Sequence, residues 1–212
     1  MSTTRIILAD DHAVVRSGLR RLLELNKGLE VVAEAESGEQ AYQLFGEFLP
    51  DIVVMDLSMP GMGGLEAAKR ILQRYTNAKI IIFSMHEAVS FASQALKAGV
   101  RGYVTKTGVA EDLLTAITEV ARGKTFLSAE IAQKVALQTL MGEDDPLHQL
   151  SSREFEIFRL LAEGRKVEEV AEMLKISQKT VANYYTMIKQ KLGVSSPIEM
   201  VRLAIRHGLI DS

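Results

Sequence analysis

Short apolar, β-branched runs alternate with longer amphipathic stretches through the first 107 residues, and no other feature restricts the fold more. The runs are Ile6 to Ala9, Val31 to Ala33, Ile52 to Met55, Ile80 to Phe83 and Gly102 to Val104. Between them Val14 to Leu25, Glu39 to Phe48, Leu65 to Tyr75 and Val89 to Ala98 carry helical periodicity, and Ala110 to Arg122 follows the last run. Strands apolar on both faces need cover on both sides, so the alternation predicts an α/β fold with a doubly wound parallel sheet. Helix punctuation agrees. Ser37 with Gln40 three residues on reads as a capping box, and Gly99 follows its helix as a stop.

Beyond about residue 124 the strand pattern ends. Ser128 to Met141 reads as a helix, Gly142 to Pro146 as an exposed linker, and everything from Leu150 onward as helical. Ser151 with Glu154 makes a second capping box, with Leu150 placed to staple onto Phe155. Ser196-Pro197-Ile198-Glu199 repeats the device with Pro at the first helical position. The expected organisation is one domain over 1–124, a helical linker over 125–147 and an all-α domain over 148–212.

The 212 residues contain no Cys, which excludes disulfides and thiolate metal sites. The N-terminus lacks the succession of a signal peptide, and no apolar run approaches a membrane span, so a cytoplasmic location is expected. Charge is mildly divided. Residues 148–212 hold 10 Lys+Arg against 8 Asp+Glu, and residues 1–147 hold 15 against 19. A nucleic-acid role for the second domain must therefore rest on pattern.

Open parallel sheets bind ligands beyond the carboxyl ends of their strands. The residues at those ends are Asp10 and Asp11, Asp56, Ser84 and Lys106. Three converging carboxylates repel unless a cation joins them, and oxygen ligands suit Mg²⁺, which leaves room for phosphate oxygens. Lys106 supplies a point charge and Ser84 a hydroxyl for an added phosphoryl group. Asp56, on the central strand, is then the nucleophile that forms an acyl phosphate. Singly, each residue has a plainer explanation as a turn cap, a loop hydroxyl or a solvated charge. The joint placement on four strand ends carries the weight.

The segments "ADDHAVVRSGL", "DIVVMDLSMPGMGGLEA", "FSMHE" and "ALKAGVRGYVTK" resemble the receiver domain of bacterial two-component response regulators over residues 5–122. The resemblance implies a five-stranded flavodoxin-like sheet of order 2-1-3-4-5, with Asp56 as phospho-acceptor. It implies Mg²⁺ held by Asp11, Asp56 and the backbone carbonyl of Ser58, with Asp10 acting through water. Ser84 and Tyr103 match the family's switch pair, whose ring follows the hydroxyl inward, and Lys106 its phosphate-binding lysine. Thr107 stands where much of the superfamily has Pro, so a cis peptide is not assumed there.

In the second domain, Val167 to Leu174, a turn at Lys175-Ile176-Ser177, and Gln178 to Leu192 read as helix–turn–helix. Val181, Tyr185, Ile188 and Leu192 share the core face of the second helix, and Lys179, Ala182, Asn183, Thr186 and Gln190 the opposite one. Such a face fits a major groove, where Asn suits adenine and a Thr methyl suits thymine. A small helical bundle for protein contacts has the same spacing. The stretch from Leu150 to Val194 is similar to the DNA-binding domain of the LuxR/FixJ class, so the whole chain resembles a NarL/FixJ-type transcriptional regulator. Many members carry Lys where this chain has Ala182 and Thr186, and His at Tyr184. That leaves Lys179, Lys189 and Lys191 for phosphates and Asn183 as the favoured base reader.

These readings predict a regulator whose DNA binding is gated by phosphorylation. Its implied partners are a sensor histidine kinase, promoter DNA and a second copy of the chain when phosphorylated, with no membrane. A phosphorylation-gated protein adaptor is the alternative. A phosphohydrolase ranks last, because Ser58 stands where such an enzyme wants an Asp, so at most slow self-dephosphorylation is expected. His86 and Glu87 are read as a solvated loop pair near the site.

Overall fold

The computed structural model describes residues 3–108, 110–141 and 145–210. The first strands and helices alternate: β1 (Thr4–Ala9), α1 (Ala13–Glu24), β2 (Leu29–Ala35), α2 (Gly38–Phe48), β3 (Ile52–Met55), α3 (Gly64–Arg74), β4 (Ile80–Ser84), α4 (Val89–Lys97), β5 (Gly102–Thr105) and α5 (Ala110–Ala121). A short sixth strand, β6 (Phe126–Leu127), follows, so the parallel sheet runs β2-β1-β3-β4-β5-β6. The expected five-strand order is kept, and the sheet gains an edge strand beyond residue 124. Two residues with one exposed edge carry too little pattern to announce a strand.

Alternate strand residues build two cores. Ile7, Ala9, Val53, Met55, Ile80, Ile82 and Tyr103 face α2, α3 and α4, while Ile6, Leu8, Ile52, Val54, Ile81 and Val104 face α1 and α5. β3 is buried along its whole length, which is why its four residues are uniformly apolar. Ser37 caps α2 by accepting from the Gln40 N–H. The Gln40 amide reaches Glu36 N–H instead of closing the box on Ser37.

Helix α6 (Ala129–Met141) leaves the sheet and packs along α4. Of the expected linker, residues 142–144 lie outside the described residues, and its end departs from the exposed character expected. Asp145 is only 4% exposed. It caps the 3₁₀ turn Pro146–Gln149 by accepting from Leu147 N–H at 2.9 Å, and its carboxylate lies 3.2 Å from His207 Nδ1.

The helical domain consists of α7 (Ser152–Ala162), α8 (Val167–Met173), α9 (Gln178–Leu192) and α10 (Pro197–Arg206). Ser151 and Glu154 form a complete capping box on α7, and Leu150 and Phe155 are both buried at its start. Val181 and Ile188 are buried along α9.

The second domain rests on the first through one continuous apolar cluster that includes Phe91 of α4 and Phe155 of α7. Their rings meet edge to face at 5.2 Å. Around them Gly61 N–H donates to Met173 C=O at 2.8 Å, and the Arg153 guanidinium donates to Leu174 C=O at 2.8 Å and Gly61 C=O at 3.3 Å. The Gln94 amide donates to the Leu147 and Leu150 carbonyls at 2.6 and 3.3 Å.

Candidate functional site

Strand register assembles the acidic site. Ala9 pairs with Met55, so the next residues, Asp10 and Asp56, emerge side by side. Ser84 pairs with Thr105, which brings Lys106 beside them. Asp10 and Asp56 are 2% and 4% exposed. Lys106 Nζ lies 2.7 Å from Asp10 Oδ2 and 3.1 Å from Asp56 Oδ1, bridging the two. Asp11 lies outside them, its Oδ1 2.9 Å from His12 Nδ1. Ligating atoms of Asp10, Asp11, His12 and Asp56 all fall within 4.8 Å of one another.

The electrostatics leave room for a cation. Burial pushes the Asp56 carboxyl above its ordinary value. Lys106 opposes this, and the neighbouring Asp10 charge adds to it. Three carboxylates against one ammonium leave a formal charge of −2, which a divalent ion would neutralise. This donor set, rich in carboxylate oxygen, fits Mg²⁺.

The turn after Asp56 depends on glycine. A Cβ on Gly64 would lie 1.8 Å from the Asp56 carbonyl oxygen, so the first turn of α3 presses directly on the backbone of the candidate acceptor. Ser84 is fully buried, with its Oγ accepting from His86 N–H at 3.2 Å. The Tyr103 ring is already inside the fold, and its hydroxyl donates to the His86 carbonyl at 2.7 Å. The Lys106–Thr107 peptide is trans.

His86 is not the solvated loop residue expected. Its ring stacks on Phe91 at 4.1 Å and an 11° interplanar angle, and its Nε2 is 2.9 Å from Ser58 Oγ. Burial, then the charges of Arg159 and Lys106, hold its pKa down to about 4, so the ring is neutral. Glu87 accepts from the Thr107 hydroxyl at 2.7 Å. Glu156 of α7 packs its carboxylate against Gly63, and burial raises its pKa despite the adjacent Arg153. Sequence reasoning missed Phe91, Gln94, Arg153, Phe155 and Glu156 as contact residues, because nothing in their local pattern distinguishes a domain contact from a domain core.

On α9, Lys179, Ala182, Asn183, Thr186 and Gln190 are exposed. The Thr186 hydroxyl donates to the Ala182 carbonyl at 3.1 Å. Lys189 lies over the Tyr185 ring at 5.1 Å. Lys191 is engaged elsewhere: its Nζ is 2.6 Å from the Glu154 carboxylate, on a side chain only 2% exposed. Tyr184 is half-buried in a cleft shared with Glu39, Glu66 and Arg70 of the first domain.

Residues 6–118 match the family described as the response regulator receiver domain, and residues 148–204 the one described as bacterial regulatory proteins, luxR family. Response regulator GacA of Pseudomonas aeruginosa is 37% identical over 210 residues, covering 98% of each chain. Response regulator UvrY of Escherichia coli is 38% identical over 209 residues, covering 98% of this chain and 96% of that one. Among solved structures, RcsB from Salmonella enterica serovar Typhimurium, bound to promoter rprA in the presence of phosphomimetic BeF3−, is 28% identical. It matches with a TM-score of 0.72 over 95% of this chain and 98% of that one. The chain belongs to the NarL/FixJ-type response regulators of two-component systems, in which a receiver domain is joined to a LuxR-type DNA-binding domain that regulates transcription.

Proposed function

We propose that Asp56 takes a phosphoryl group from a sensor histidine kinase and that the acyl phosphate gates promoter binding by α9. The observation that carries the reading is the bridging of Asp10 and Asp56 by Lys106 beside the buried Ser84 hydroxyl. In the transfer an Asp56 oxygen attacks phosphorus, an O–P bond forms, and the N–P bond of the donor phosphohistidine breaks with its electron pair returning to the imidazole. Asp11, Asp56 and the Ser58 carbonyl would hold Mg²⁺, with Asp10 acting through water. The ion would supply charge neutralisation for the phosphoryl oxygens. Lys106 receives one of those oxygens and Ser84 donates a hydrogen bond to another. The acceptor then loses its phosphoryl group only slowly, since Ser58 offers no carboxylate to activate water.

The gate follows from the contacts around the site. Tyr103 bonds the His86 carbonyl, His86 stacks on Phe91, and Phe91 meets Phe155 of the output domain. A phosphoryl group that draws Ser84 toward it disturbs the His86 N–H bond and thus the base of this stack. Separation of the domains frees α9 from the cleft where Glu39 and Glu66 flank Lys175, Thr180 and Tyr184. In the unphosphorylated chain those carboxylates repel a duplex approaching along α9. Lys179 then contacts phosphate, Asn183 reads a base, and Ala182 and Thr186 lie against the groove floor. Lys189 adds a phosphate contact, whereas Lys191 serves mainly to hold Glu154. Dimerisation on phosphorylation and a cytoplasmic location complete the proposal, and no helix among the described residues is long and apolar enough to cross a membrane.

The test is to select bound fragments from genomic DNA with and without a small phosphodonor and Mg²⁺, then titrate the selected site. Binding that tightens on phosphorylation in wild type, and is tighter in unphosphorylated Gln94→Ala than in unphosphorylated wild type, supports the gate. Binding indifferent to the donor sinks it, and no DNA binding in either state favours the protein-adaptor alternative.

A further inference from the structure

His12 occupies the N-cap position of α1, yet its side chain does not cap the helix. Its backbone N–H donates to Asp10 Oδ1 at 2.8 Å, which folds the residue back over the acidic site. The ring then turns Nδ1 toward the carboxylates, 2.9 Å from Asp11 Oδ1 and 3.3 Å from Asp10 Oδ1. Lys106 already serves Asp10 and Asp56, and His12 is the basic group beside Asp11. The nitrogen thus sits on the open side of the cluster, with its side chain 67% exposed and free to adjust.

We infer that His12 is a nitrogen ligand of the receiver's cation site and biases it from Mg²⁺ toward first-row transition ions, of which Mn²⁺ is the hardest. The inference rests on the receiver reading above. Three carboxylates suit a hard ion, and one imidazole added to them changes the preference. Mg²⁺ gains little from nitrogen and keeps its waters, while affinity for an imidazole-bearing site rises along the first-row series, starting from Mn²⁺ as its weakest member. The bias resides in one side chain, at the edge of the site and outside the sheet, so replacing it leaves the oxygen ligands in place. The cell's balance of Mg²⁺ and Mn²⁺ then sets which ion accompanies phosphorylation.

The test uses the full chain and Mn²⁺ as probe. Free Mn²⁺ is followed by electron paramagnetic resonance during titration, Mg²⁺ affinity is measured by competition, and nitrogen coupling is read by electron spin echo modulation. Wild type should show nitrogen coupling. His12→Gln should lose it, with Mn²⁺ affinity falling about tenfold, the lower end of what loss of a site-tuning partner costs, and Mg²⁺ affinity moving by less than about twofold. Nitrogen coupling retained in His12→Gln, or lost only in His86→Gln, overturns the inference. So does an equal weakening of both ions, which marks His12 as a structural or charge effect. Asp11→Asn separates the two levels: if it binds Mn²⁺ as tightly as wild type, or wild type binds none, the receiver-site reading falls, whereas Mn²⁺ weakened by Asp11→Asn but bound to wild type without nitrogen coupling removes only the role of His12.

Discussion

Gly64→Ala and Gly18→Ala make the same covalent change on two helices, and the structure gives them opposite signs. Gly18 lies within α1 with nothing inside 4 Å of the place a Cβ would take. An alanine there restricts the unfolded chain and raises stability by about 0.5–1 kcal/mol. At Gly64 the added Cβ would stand 1.8 Å from the Asp56 carbonyl oxygen, 2.8 Å from its carbon and 3.1 Å from Leu57 Cα. Contacts under 3.0 Å are not tolerated, so the backbone must yield by about 1.2 Å. It has little freedom to do so. Asp56 N–H is held by Ala9 C=O at 2.7 Å, and Gly64 N–H by Leu57 C=O at 3.0 Å. A displacement of that size calls on the upper part of the overpacking range, about 2–3 kcal/mol, and the entropic gain offsets about 1 kcal/mol of it. The net loss of about 1–2 kcal/mol lowers Tm by roughly 2–8 °C for a chain of this size. Because the displaced atoms belong to the acceptor, phosphorylation should slow as well. Thermal unfolding and intact-mass measurement after incubation with a phosphodonor read both effects. Gly64→Ala as stable and as readily phosphorylated as wild type would refute the close-packing account.

Asp56→Asn should gain no phosphoryl mass, and in metal-free buffer at neutral pH it should be more stable than wild type, since it removes a carboxylate that burial disfavours. The sign follows from the raised pKa: the folded state holds that proton more tightly, so the advantage of Asn shrinks as pH falls through the folded value and Asp56 neutralises itself. Lys191→Met should cost about 1–3 kcal/mol in urea unfolding at pH 7 by leaving Glu154 without its ammonium. Burial works against the Glu154 charge, but Lys191 and Ser151 outweigh it and set its pKa below the ordinary 4.5. The deficit should therefore be full above pH 4.5 and close as pH falls through the folded value. Asn183→Ala should weaken the specific site by about 1–3 kcal/mol and leave random DNA nearly unaffected in duplex titrations. Ala182→Lys should instead tighten random DNA and steepen the salt dependence by about one unit.

What could be read from the residues alone was whatever a local period or a strand end reports. Uniformly apolar Ile52 to Met55 announced a strand covered on both faces, and the carboxylate that follows it marked the strand end where the acidic cluster gathers. Val181 and Ile188 announced the buried side of α9. These signals are local because solvent exposure along a helix or strand repeats with the backbone's own geometry. The acidic site was legible for the same reason, since parallel register brings strand ends together without further instruction. Tertiary structure alone decided where side chains from distant segments meet. The pairing of the Lys191 ammonium with the Glu154 carboxylate, 2.6 Å away, joins two helices that no single period connects. His86 looked like a solvated loop residue until its stack on Phe91, whose ring meets Phe155, carried it into the seam between domains. The gap between Phe91 and Phe155 in the chain leaves no period to detect. A contact of that range is set by the shapes of two finished surfaces, and those exist only once each domain has folded.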